Sequence, residues 1–136
     1  MSKYKNKKVE EDGITFDSVL ENSYYKQLKW MLANKQIKKF ELQPKFELQP
    51  KFEKNGKKYR EITYVADFKV INNDGSVQII DIKGFVTKDF SIKKKLFEYK
   101  YPELTLVLLK YVKKYGGWIT IEEYDKQKRL EKKRGK

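Results

Sequence analysis

The sequence predicts an α/β fold in which a mixed β-sheet is flanked by helices. A segment with helical periodicity comes first, three strand-like segments follow it, and a second helical segment comes after them. An uninterrupted apolar run of strand length, residues 104–109, then completes the order αβββαβ. A chain of 136 residues has the usual size of one domain with a single modest core.

Composition narrows the possible classes of function. Hydrophobic residues make up 39% of the chain and aromatic residues 15%, which argues against disorder even though 38% of residues are charged. Cysteine and histidine are absent, which excludes disulfide scaffolds, zinc fingers, thiol enzymes and mechanisms with an imidazole base. No apolar run approaches the roughly 20 residues of a membrane span. We therefore expect a cytoplasmic protein with no membrane partner.

Most of the net charge of +13 lies at the two ends of the chain. We therefore expect a flexible basic arm (1–13), one folded domain (14–125) and a basic C-terminal tail (126–136). Such ends suit a nucleic-acid phosphate backbone, although solubilising tails are the alternative. The cations expected to contact nucleic acid are Lys3, Lys5, Lys7, Lys8, Lys128, Arg129, Lys132, Lys133 and Arg134.

The first half of the chain contains one predicted helix and one literal repeat. Apolar residues at helical spacing predict a helix over 18–34, and Ser18 with Glu21 fits a capping box at its start. The hexapeptide FELQPK occupies 40–45 and again 46–51. Two copies of six residues are too few for a solenoid. Their alternating pattern instead predicts one extended segment that enters a strand over 45–53.

The second half contains a hairpin, a helix and two further strands. Residues 54–57 predict a turn, and strands over 61–71 and 76–83 are joined by the hairpin signal Asn-Asn-Asp-Gly. A helix over 88–101 ends before Pro102. The apolar run after it is typical of a central strand buried on both faces. Beyond two glycines, we expect a short edge strand over 118–121 and then a basic helix.

The hairpin loop determines whether two aspartates meet. With a three-residue loop over 73–75, Asp67 lies directly opposite Asp81, and strand alternation puts Lys83 on the same face. Like charges placed there are destabilising unless a positive charge lies between them. A loop of two or four residues would separate the aspartates, and a solvated face with a cross-strand salt bridge is the alternative interpretation.

Two charged residues interrupt the apolar faces of the predicted helices. Glu21 falls in the middle of the stripe that faces the sheet, where a carboxylate is unfavourable unless it is paired or binds a cation. Its side chain could instead contribute to the helix cap. Lys93 falls inside the apolar arc of the second helix, where a snorkelling lysine is the alternative.

Three carboxylates and one lysine, without histidine, are the minimal set for metal-dependent hydrolysis of a phosphodiester. Oxygen ligands suit Mg²⁺, with Mn²⁺ as a substitute, and a nearby lysine can orient the attacking water. The sequence thus predicts Glu21, Asp67 and Asp81 as metal ligands and Lys83 as the fourth catalytic residue.

Short motifs carry a resemblance to known nucleases. Ala66-Asp67, a gap of thirteen residues and then Asp81-Ile-Lys-Gly resemble the core of PD-(D/E)XK nucleases, with alanine in place of the proline. Residues 13–102 also resemble a small phage-encoded endonuclease family, formerly described only as a domain of unknown function. The shared segments are Gly-Ile-Thr-Phe-Asp-Ser, Phe-Glu-Leu-Gln-Pro, Tyr-Val-Ala-Asp-Phe and Asp-Ile-Lys-Gly.

The resemblance implies a restriction-endonuclease-like core, a Mg²⁺-dependent endodeoxyribonuclease, a homodimer and kinship with Holliday-junction resolvases. It implies branched DNA as the substrate, the host cytoplasm as the location, and the Ile82 carbonyl as a further ligand. Gln49 and Lys93 are secondary candidates. The alternatives are a phage nickase or duplex endonuclease in restriction, repair or packaging, and a non-catalytic nucleic-acid-binding protein.

Overall fold

The computed structural model describes residues 7–83 and 86–135. Three helices lie in this part of the chain: α1 (Val19–Ala33), α2 (Lys88–Lys100) and α3 (Ile121–Arg134). The strands are β1 (Val9–Glu11), β2 (Ile14–Phe16), β3 (Lys39–Leu42), β4 (Lys45–Gln49), β5 (Phe52–Lys54), β6 (Lys57–Tyr59), β7 (Ile62–Val65), β8 (Phe68–Ile71), β9 (Val77–Ile82), β10 (Thr105–Val112) and β11 (Gly117–Thr120).

A five-stranded mixed sheet forms the centre of the protein, in the order β11-β10-β9-β8-β3. Strands β9 and β10 are parallel because α2 connects them, and the other neighbours are antiparallel. Helix α1 packs on one face of the sheet, and α2 covers the other face together with β4 and β7. The predicted mixed α/β architecture is confirmed.

Helix α1 is formed as its sequence predicts. Ser18 is the N-cap, and its hydroxyl accepts a hydrogen bond from the Glu21 N–H. The helix buries Tyr24, Tyr25 and Leu28 against the α1-facing side of the sheet. The predicted boundaries, 18–34, include the two cap residues and are confirmed.

The hairpin between β8 and β9 has the predicted three-residue loop. Phe68 pairs with Ile80 and Ile71 with Val77, which is the register expected when residues 73–75 form the loop. The Asn72 N–H donates to the Ser76 carbonyl, which closes the loop. Gly75 has φ +88°, a left-handed conformation that glycine adopts without steric cost. This register positions the candidate site.

The two copies of the hexapeptide form two strands whose apolar side chains pack on opposite sides of the sheet. In the first copy, Phe40 and Leu42 of β3 pack on the α1 side; in the second, Phe46 and Leu48 pack on the α2 side. Gln43 has φ +49° and precedes a proline, so the chain bends between the copies. The prediction of one extended segment is therefore wrong: β3, β4 and β5 are three separate strands.

The N-terminal region also differs from its prediction. Residues 9–13, assigned above to a flexible arm, form β1 and the turn to β2. Asp12 accepts hydrogen bonds from Tyr25 and Lys29 of α1, and Glu11 also bonds with Lys29. A strand of only three residues is too short for a periodic pattern to predict it. The acidic residues of β1 and of the turn after it are bound by a lysine of α1, a contact that the local pattern does not reveal.

Strand β10 and helix α3 complete the described fold. Strand β10 lies inside the sheet as predicted. Most of its side chains are only half-buried, and Leu109 alone is buried. The reason is that part of its α2-side face borders an open groove. Helix α3 continues through residues 126–134, so the predicted basic tail is largely helical. Glu131 anchors it by bonding to Lys114 and Tyr115.

Candidate functional site

Asp67 and Asp81 lie side by side at one end of the central hairpin. The Asp67 N–H donates to the Ile80 carbonyl at 3.2 Å, and the Asp67 carboxylate accepts from the Ile82 N–H at 2.8 Å. Burial and repulsion by the Asp81 carboxylate together raise the pKa of Asp67 to about 9. The two aspartates that sequence register places opposite each other therefore share one electrostatic environment.

Asp81 is buried, with 3% of its surface exposed, and has two partners on the α2 side of the sheet. The Tyr64 hydroxyl donates to Asp81 Oδ2 at 2.5 Å, and Lys83 Nζ lies 3.4 Å from the same oxygen. The Lys83 ammonium also lies 4.2 Å from the centre of the Phe90 ring. Lys83 thus combines a fixed position beside a carboxylate with partial exposure to solvent.

Glu21 brings a third carboxylate to this end of the sheet. Its Oε2 lies 3.4 Å from the Ser18 hydroxyl, and its carboxylate is near enough to the aspartates for Asp81 to raise its pKa. Burial is the main cause that raises the pKa of Glu21, and repulsion from Asp17 and from Asp81 adds to it. The hydrogen bond with Ser18 opposes this rise. Ser18 therefore caps the helix, while the Glu21 carboxylate faces the aspartates.

An open cleft of about 390 Å³ borders the cluster on the α2 side. Lys83 and the secondary candidate Lys93 both line it, together with Asp89. Gln49 does not line the cleft; it is exposed at the end of β4. The Ile82 N–H donates to Asp67, and regular strand geometry places the carbonyl of the same residue on the same edge of β9.

Tyr64 is the site residue that the sequence analysis missed. Simple alternation places Tyr64, Ala66 and Phe68 on one face, away from Asp67. In the structure, Tyr64 and Ala66 pack on the α2 side and Phe68 packs on the α1 side, because the chain is irregular between β7 and β8. Ile79, which strand alternation places on the same face as Asp81 and Lys83, is fully buried on the α2 side. The bend at Gln43-Pro44 lies directly opposite this irregularity, since both residues bond to the backbone of Ala66 and Asp67. Pro44 is the sign of it that the sequence contains.

Of the basic residues predicted to bind nucleic acid, those that the structure describes do not line the cleft. Lys7 and Lys8 are exposed ahead of β1, while Lys3 and Lys5 lie outside the described residues. The predicted cations on α3 are all exposed: Lys128, Arg129, Lys132, Lys133 and Arg134. Gly84, the last residue of the Asp-Ile-Lys-Gly motif, also lies outside the described part of the chain.

The donor set of the cluster fits a hard divalent cation. Across residues 7–83 and 86–135, no three Asp or Glu side chains are arranged as a ready-made ion cage. The carboxylates instead lie close enough for repulsion from Asp81 to raise the pKa of Asp67, which favours a protonated Asp67 at neutral pH. A divalent cation would offset the same repulsion, and carboxylate oxygens are the ligands that Mg²⁺ prefers.

These features define a mixed α/β protein with a partly buried carboxylate–lysine cluster at the end of its central hairpin. Residues 1–117 match a family described as a protein of unknown function (DUF1064), and the chain belongs to that family. Neither a curated protein nor a solved structure matches the chain. Among the described residues, the helices are too short or too polar to cross a bilayer.

Tyr64→Phe is expected to lower the free energy of unfolding by about 1–3 kcal/mol. The substitution keeps the ring but removes the hydroxyl that donates to the buried Asp81 carboxylate. Urea unfolding at pH 7 measures the effect. The matched control is Tyr99→Phe, because Tyr99 is 88% exposed. Equal stability of the two variants would show that the Tyr64 hydroxyl does not support Asp81.

Proposed function

We propose that this protein is a metal-dependent DNA endonuclease of the PD-(D/E)XK type that acts on branched DNA, as a phage Holliday-junction resolvase does. The observation that carries the proposal is the meeting of Asp67, Asp81 and Lys83 on adjacent strands, with Glu21 approaching from α1. The αβββαβ order around that cluster supports the same superfamily. The residue types, their spacing in the sequence and their positions in the fold all agree with this class of nuclease. A short Asp-X-Lys motif alone would give weaker support.

In this proposal, Asp67, Asp81 and Glu21 hold Mg²⁺ or Mn²⁺, with the Ile82 carbonyl as a further ligand. The ion supplies Lewis-acid stabilisation of phosphate charge when bound. Lys83 keeps its ammonium at the mouth of the cleft, where it can orient a water molecule and stabilise added negative charge. Tyr64 holds the Asp81 carboxylate in place, and Lys93 attracts the phosphate into the cleft.

Charge and symmetry extend the proposal to the substrate. A net charge of +13 supplies backbone affinity that does not depend on DNA sequence. A homodimer would present two such sites to opposed strands of a four-way junction. The resemblance to phage endonucleases further implies products with 5′-phosphate and 3′-hydroxyl ends.

A cleavage assay on branched and linear DNA tests the proposal. With Mg²⁺, the protein is expected to make paired nicks near the branch point of a four-way junction and to leave an equal-length linear duplex largely intact. The assay follows end-labelled strands on denaturing gels, with a chelator as the negative control. Equal cleavage of both substrates would favour a nickase or duplex endonuclease. DNA binding without cleavage in Mg²⁺ or Mn²⁺ would instead indicate a non-catalytic binding protein.

A further inference from the structure

The hairpin formed by β5 and β6, residues 51–60, projects from the body of the protein. Asn55 (φ +53°) and Gly56 (φ +78°) form a tight turn between its strands. Every residue from 49 to 62 is exposed. We call residues 51–60 the ribbon. It contributes nothing to either hydrophobic core, so its sequence is free of packing constraints.

The ribbon is strongly basic, and one of its cross-strand pairs places two like charges opposite each other. Its single acidic residue is Glu53. Lys54 and Lys57 are direct partners across the ladder, where like charges destabilise a strand pair. The arrangement becomes favourable when an anion lies against the hairpin. The cations of the ribbon are Lys51, Lys54, Lys57, Lys58 and Arg60.

One pair of aromatic rings adds an apolar surface to the ribbon. Phe52 and Tyr59 pair across the ladder, with ring centroids 4.7 Å apart and planes 9° from parallel. The two residues are 44% and 40% exposed although they are large hydrophobic residues. Cations beside exposed rings are suited to a partner with both phosphates and apolar base edges.

The ribbon is also near the candidate site. It connects β4 to β7 along the chain, and in that neighbouring strand pair Tyr64 pairs with Phe46 and Ile62 with Gln49. Tyr64 bonds to Asp81, and Tyr59 lies only five residues earlier, a span of at most about 17 Å in extended chain. DNA whose phosphate occupied the cleft would therefore pass within reach of the ribbon.

We propose that the ribbon enters the major groove of the duplex that adjoins the cleaved phosphate. This inference rests on the proposed function and extends it by naming a DNA-contacting element. A two-stranded ribbon fits a major groove about 12 Å wide. Its lysines then lie close to the flanking phosphates, and the Phe52–Tyr59 pair contacts base edges within the groove.

The test is DNA binding by the full chain as a function of salt, without divalent ions. Lys54→Ala/Lys57→Ala is expected to weaken binding to a duplex-armed four-way junction tenfold or more at about 0.1 M salt. It should also lower the log–log salt slope by about 2, because two phosphate contacts are lost. The substitution removes a like-charge pair, so the variant is expected to fold at least as well as the wild type.

The matched control is Lys38→Ala/Lys39→Ala, which removes two adjacent exposed lysines at the opposite end of β8 from Asp67. Its salt slope is expected to stay within about 0.5 of the wild-type value. If the ribbon variant has an unchanged slope while the wild type cleaves DNA, the ribbon proposal is wrong and the proposed function stands. A wild type that neither binds nor cleaves DNA overturns both. Weakened binding to RNA alone, with DNA binding unchanged, also overturns the ribbon proposal.

Discussion

Asp81→Asn is expected to lower the rate of Mg²⁺-dependent cleavage about 10³-fold or more. Asp81 is the most buried acid of the cluster and has both Tyr64 and Lys83 on its Oδ2. An amide keeps the shape of the side chain but removes the negative charge that a divalent cation requires. The single-turnover rate on a four-way junction measures the effect, and binding to the same junction is expected to change only a few-fold.

Two comparisons make this result specific to the site. Asp125→Asn is the matched control, since Asp125 is exposed on α3, and its cleavage rate is expected to equal the wild-type rate. Glu21→Gln tests the same cluster from α1, in case the buried substitution disturbs folding. Wild-type cleavage by a folded Asp81→Asn or Glu21→Gln variant would remove the carboxylates from the catalytic hypothesis.

The meeting of the two aspartates could be predicted from sequence because a hairpin has few free parameters. Once Gly75 selects a three-residue loop, every pair along β8 and β9 follows from counting. Alternation then places Lys83 beside Asp81, and helical periodicity turns Glu21 toward the sheet. Local rules are sufficient for these residues because each depends on one turn or one helix.

The rest depends on contacts between distant segments. Tyr64 reaches Asp81 only because the chain is irregular between β7 and β8, near Asp67. That irregularity lies opposite the bend at Gln43, between β3 and β4. For the same reason, the apolar side chains of two identical hexapeptides pack on opposite sides of the sheet. The β1–β2 hairpin is held by Tyr25 and Lys29 of α1 rather than by its own sequence. Such partners cannot be read from a local pattern.

Asp67→Asn is expected to make the protein more stable at high pH. In the wild type, burial and the neighbouring Asp81 raise the pKa of Asp67 to about 9, whereas an unfolded chain has a value of about 3.9. The folded state therefore holds an extra proton between about pH 4 and 9, so its free energy of unfolding falls as pH rises through that window. The neighbouring carboxylates share this pKa shift, so the effect of one substitution is smaller than the full shift implies. We expect the free energy of unfolding of Asp67→Asn to exceed that of the wild type by about 2–4 kcal/mol at pH 8 and by almost nothing at pH 4.

Urea unfolding at several pH values between 4 and 8, with a chelator present, measures this difference. The amide oxygen introduced by Asp67→Asn can still accept from the Ile82 N–H, so the substitution mainly removes the charge. Asp125→Asn, on the exposed surface of α3, is expected to follow the wild-type pH dependence. Parallel pH profiles for wild type and Asp67→Asn would mean that the cluster holds no proton. A gain in stability combined with lost cleavage would show that the carboxylates are kept together for chemistry, since the fold is more stable without that charge.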